Sequence, residues 1–199
     1  MNVHLCETHA VEELCRPGPC RHEGSALGAG AERRAALSGP IDPARLAEAN
    51  INPTTGLATD YLNHFNEAIM LLELIQTMPG CIEDLAAWKV MSYREHFLAS
   101  HQKHREVVLE AYEAADPQAR HMLDEIADTM GSILFAVCKA LPEAVDTAEA
   151  AALGRQAAGR LRPLVARAGA VVNGFMLGAD IPLTGVAQAA VDALMVRRT

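Results

Sequence analysis

Residues 92–114 read SYREHFLASHQKHREVVLEAYEA. Ser92 stands three residues before Glu95, the spacing of a capping box, so a helix is predicted from Tyr93 to about Ala114. At about 100° per residue, Phe97, His104, Val108 and Ala111 fall on one face of it. Tyr93, His101 and Tyr112 lie at the edges of the same stripe. The face that must pack inward therefore carries two imidazoles about one turn apart. Burying an imidazole is costly unless its nitrogens find partners, so His101 and His104 point to a bound metal or a polar network.

Working upstream, Ile82 to Lys89 forms a short helical piece, and a break before Ser92 avoids one unusually long helix over 82–114. Pro79 and Gly80 stop an earlier helix that Thr59 or Asp60 caps and that runs to about Met78. Downstream, Asp116 and Pro117 pair a cap with a proline at the first helical position and start a helix that Pro142 closes after Leu141. Asp42 and Pro43 give the same signal for a brief helix to about Ala49. Beyond Pro142 the chain is Ala-rich. A helix is predicted from about Glu143 to Leu161, with a kink or restart at Pro163, a run to about Met176, and a last helix over Val186 to Val196.

The predicted fold class is all-α: an antiparallel four- to five-helix bundle with a flexible N-terminal leader. The leader covers residues 1–41, where glycine and proline recur and apolar residues are too sparse to define a face. A single bundle domain covers 42–199, with its main body at 57–141 and an Ala-rich helical tail at 142–199. Short connections make successive helices antiparallel neighbours. Half of the chain is apolar and only 4% is aromatic, with few stretches of strand-like alternation, which is the composition of a helical core.

The net charge of −8 is uneven. Residues 57–141 hold 13 acidic and 6 basic side chains, a balance of −7, whereas 142–199 hold 5 acidic and 6 basic, a balance of +1. The acidic middle repels phosphate backbones and excludes nucleic acid as a partner there. The most apolar segment, Ala168 to Leu177, is about half the length needed to span a bilayer, so no membrane association is expected. The N-terminus lacks the basic-then-apolar order of a signal peptide. The expected compartment is the cytoplasm, where the five cysteines stay as thiols.

Candidate chemistry gathers in two places. On the helix from Thr59 to Met78, Tyr61, Leu62, Phe65, Ile69 and Leu72 are plain core, while Asp60, His64 and Glu67 cluster on another side. Carboxylate and imidazole on facing helices are how bundles build metal centres. One expectation is thus a metal-binding bundle, for iron or zinc, with ligands from His101, His104, His64, Glu67 and Asp60. The Glu-x-x-His spacing that di-iron carboxylate bundles place on two helices is absent. His121 and Glu125 lie on the polar side of their helix and read as an exposed pair. The leader's His4, Cys6, His9, Cys15, Cys20 and His22 do not reproduce a zinc-knuckle spacing. Trp88 reads as a packing anchor, and Cys81 and Cys138 as small packing residues.

No nucleophile elbow, phosphate loop or dinucleotide fingerprint occurs. The leading functional expectation is therefore a non-catalytic regulatory or protein-interaction role, through a protein partner or self-association, with the metal-binding bundle as the alternative.

Overall fold

A computed structural model of the chain describes residues 41–175. These residues form seven α-helices and one short 3₁₀ turn. The helices are α1 (Pro43–Glu48), α2 (Tyr61–Leu74), α3 (Cys81–Ala87), α4 (Tyr93–Ala99), α5 (Arg105–Ala114), α6 (Pro117–Ala140) and α7 (Thr147–Val172). The leader and the predicted last helix over Val186 to Val196 lie outside the described residues. No helix among the described residues is long and apolar enough to cross a membrane.

Three of the caps expected from sequence are in place. Asp42 accepts from the Ala44 N–H, and Asp116 accepts from the N–H groups of Gln118 and Ala119. Each satisfies backbone donors that a helix start leaves unpaired. Ser92 and Glu95 form the full capping box, each side chain bonded to the other's backbone N–H. Asp60 holds the N-cap position of α2, but its side chain makes no capping bond.

Three boundaries differ from expectation. The α2 helix ends at Leu74, and a turn carries the chain to Pro79, whose ring disfavours helical geometry at Met78. The α7 helix starts at Thr147, capped by Asp146, because the 3₁₀ turn at Leu141–Glu143 takes up the chain after α6. Helix α7 then continues through Pro163, which is exposed, with Leu161 and Leu164 buried on either side. Tertiary burial of that apolar stripe overrides the break that proline alone favours.

The largest correction concerns residues 92–114. The helix predicted over Tyr93 to Ala114 is two helices, α4 and α5, folded back on each other. Tyr93 and Tyr112 stack with ring centroids 4.5 Å apart. In one continuous helix, residues 19 positions apart would be separated by about 28 Å. Residues 100–104, SHQKH, contain no apolar side chain, so a helix continued through them would have nothing to bury. Ser100 leaves α4 in an extended conformation, and its hydroxyl donates to the Phe97 carbonyl, competing with the next helical turn.

The core is one contiguous cluster built from all the larger helices. Helix α7 runs antiparallel to α2, with Gly154 against Leu72 and Gly169 against Leu62. At one end the loop before α2 ties three elements together. The buried Thr55 hydroxyl donates to the Val172 carbonyl at 2.6 Å, and the Thr55 carbonyl accepts from the Asp116 N–H. The Ala58 N–H donates to the Tyr93 hydroxyl at 2.8 Å. That last bond, with the Tyr61 hydroxyl donating to the Met91 carbonyl at 2.8 Å, fixes α4 against the first turn of α2.

Candidate functional site

The contact between α2 and α4 leaves an open groove of about 390 Å³, lined by Asn63, His64, Glu67, Met91, His96, Ala99 and Ser100. The α2 wall follows from helical spacing. Tyr61, Phe65, Ala68 and Leu72 face the core, which sets Asn63 and Glu67 on the outer side with His64 between. The capping box at Ser92 fixes where α4 begins, and so where His96 stands.

His64 is buried, at 6% exposure. Three contacts hold it. Its Nε2–H donates to the Lys89 carbonyl at 2.8 Å. Its ring stacks on Trp88 at 4.3 Å and meets the edge of Phe65 at 5.6 Å. A carbonyl only accepts, so Nε2 carries the proton and Nδ1 keeps the lone pair in the neutral ring. Burial pushes the His64 pKa down to about 4, against the opposing pull of the Lys89 carbonyl, and His96 lowers it a little more. Trp88 is the anchor expected from sequence, and its indole Nε1 is buried without a hydrogen-bond partner among the described residues.

His96 is half-buried, its ring 5.6 Å from that of His64 and packed edge-on against Tyr61 and Phe97. Burial lowers its pKa too, opposed by the charges of Asp60 and Glu67. Both imidazoles are thus neutral at physiological pH. The groove then presents ring nitrogens, an amide and a carboxylate beside Met91 and Ala99, with no cationic side chain in its lining.

The structure brings together His64 and Glu67, and Asp60 lies close enough to act on the charge of His96. It does not bring His101 and His104 to them. His101 is exposed in the break between α4 and α5. His104 is half-buried at the N-cap position of α5 and makes no capping bond. Neither lines the groove, so the inward-facing pair expected at these positions is corrected. Among the described residues, no three His, Cys, Asp or Glu side chains converge as a ready metal shell.

His96 is the residue that periodicity overlooks. On a helix starting at Tyr93 it lies about 60° off Tyr93 and about 100° off Phe97, at the margin of the buried stripe. Its adjacency to Phe97, one turn after the capped start, is the signal that marks it. The exposed His121 and Glu125 pair as expected, at 3.7 Å. Cys81 is buried, and the half-buried Cys138 places its thiol 3.8 Å from the Leu85 carbonyl.

No family model, no curated protein and no solved structure matches the chain.

Proposed function

We propose that this chain is a non-catalytic binding protein of the cytoplasm that engages a protein partner through the groove between α2 and α4. The partner segment carries a basic side chain beside apolar ones. The observation behind this is the composition of the groove: a Glu67 carboxylate and acceptor nitrogens of neutral imidazoles flank Met91 and Ala99, and no cation compensates them. Met70, 52% exposed, extends the same α2 stripe two turns beyond Asn63. A surface of this kind favours a guanidinium or ammonium group next to a small hydrophobe. The scaffold for this role is the antiparallel four- to five-helix arrangement expected over residues 42–199.

Site-specific photocrosslinking tests the proposal. A photoreactive side chain at Ala99 in the full chain is expected to capture a discrete partner in the native cell. Capture should fall with added salt and disappear in a Glu67→Lys background. The same probe at the exposed Arg155 on α7 should not capture it. Identical adducts from both positions, or capture that survives Glu67→Lys, would remove the groove from the contact. Capture of a second copy of the chain would replace the separate partner by self-association.

A further inference from the structure

We propose that His64 and His96 together bind a late first-row divalent ion of the zinc type, with water or an incoming ligand at its other positions. The separation of the rings carries this. A zinc–nitrogen bond of about 2.1 Å places the metal about 3.2 Å from each ring centre, and a tetrahedral angle then sets the two centres about 5.2 Å apart. The rings stand 5.6 Å apart in the protein, so a few tenths of an ångström brings them to ligating distance. They sit on different helices, and His96 is the less buried of the two.

His64 is prepared in the way metal-binding histidines are. Its Nε2–H is held by a backbone carbonyl at 2.8 Å, which fixes the tautomer and leaves Nδ1 as the donor atom. The Trp88 stack holds the plane of the ring. Among the described residues, the contacts of the His96 ring are with the rings of His64, Tyr61 and Phe97. Asp60 and Glu67 supply negative charge beside His96. Imidazole donors suit zinc, cobalt, nickel and copper over magnesium or calcium. Among the described residues no third His, Cys, Asp or Glu completes a cluster with them, which leaves coordination positions open toward the groove. Ion binding here needs no protein partner, and an ion at these nitrogens takes the place of the partner's basic group there.

Trp88, the single tryptophan of the chain, gives a local readout because it stacks on His64. Titrating the untagged full chain with Co²⁺ is expected to quench Trp88 fluorescence saturably, and diamagnetic Zn²⁺ should restore it by competition. His96→Ala should weaken the quenching affinity by about 100-fold or more, beyond the effect of losing an outer-shell partner. His64→Ala should abolish it, and a double His101→Ala, His104→Ala variant should leave it unchanged. Should His64→Ala fail to fold, His96→Ala alone decides. Wild-type protein that shows no quenching at millimolar Co²⁺ overturns the site. So does unchanged affinity in a folded His96→Ala variant, or loss of quenching in the His101, His104 double variant.

Discussion

Gly154→Ala should destabilise the protein, and Gly159→Ala should stabilise it, although both replace a glycine within the same helix. At Gly154 an added Cβ would lie 2.5 Å from the Leu72 carbonyl oxygen and 2.9 Å from the Ile75 Cδ1. The Ile75 methyl can rotate aside. The Leu72 carbonyl belongs to the backbone of α2 and cannot, and the gap falls about 0.9 Å short of the 3.4 Å at which ordinary contact begins. Relief therefore requires α7 to move away from α2, loosening a buried interface. Overpacking of this kind costs about 1–3 kcal/mol, and the better helix propensity of alanine returns about 1 kcal/mol. The net loss is up to about 2 kcal/mol, or up to about 8 °C in Tm for a chain of this length. At Gly159 nothing among the described residues lies within 4 Å of the added Cβ, so the propensity gain of up to about 1 kcal/mol stands alone. Urea unfolding followed by far-UV circular dichroism measures both variants against the parent. Their difference isolates packing, because the propensity change is common to the two. A Gly154→Ala protein as stable as Gly159→Ala would refute the close approach of α7 to α2.

Acid should weaken the fold through His64. Its pKa is about 4 in the folded protein against 6.5 for a free histidine, so below about pH 6.5 the unfolded chain takes up a proton that the folded chain refuses. The resulting stability is complete above pH 6.5 and is lost as pH falls toward 4, amounting to at most about 3 kcal/mol. His64→Gln should flatten this part of a Tm-against-pH profile, and an unchanged slope would exclude His64 as its source. Ser92→Ala removes the capping box of α4 and should cost about 1 kcal/mol, with amide exchange rising first in residues 93–96; uniform protection there would contradict a role for the cap. The Arg162 guanidinium holds Glu73 through contacts of 2.6–2.9 Å, but both side chains are largely exposed. A double-mutant cycle on this pair should give less than about 1 kcal/mol and shrink in high salt, and a larger, salt-independent coupling would show that the pair is shielded from solvent.

Much of the helical order was legible because it is written in local chemistry. Asp42-Pro43, Ser92 with Glu95, and Asp116-Pro117 each mark a start by a capping side chain or a preset φ, and all three starts are found. The helix ends were less legible. The α2 end is shifted by Pro79, whose influence reaches back over more residues than the ring alone marks. Whether α7 passes Pro163 depends on which partner buries the next apolar residue, and that information is not local. The same limit explains the histidines. Placing His101 and His104 on an inward face required one helical phase to persist from Tyr93 to Ala114, and a single break resets the phase of everything beyond it.

That break also builds the groove. Had the chain stayed helical past Ala99, Tyr93 and Tyr112 would stand at opposite ends of one rod, and the ring cluster that seats α4 on α2 would lose a member. The break lets Tyr112 stack on Tyr93, which packs with His96 against Tyr61, while the five polar residues it spans have no apolar side chain to bury as helix. Reversal at Ser100 then leaves Ala99 and Ser100 as one end of the groove, carries His101 out to solvent, and keeps His96 as the imidazole facing His64. The loss of one expected histidine pair and the appearance of another are consequences of the same competition. A substitution that lengthens α4 through residues 100–104 should therefore disturb the groove and the aromatic cluster together.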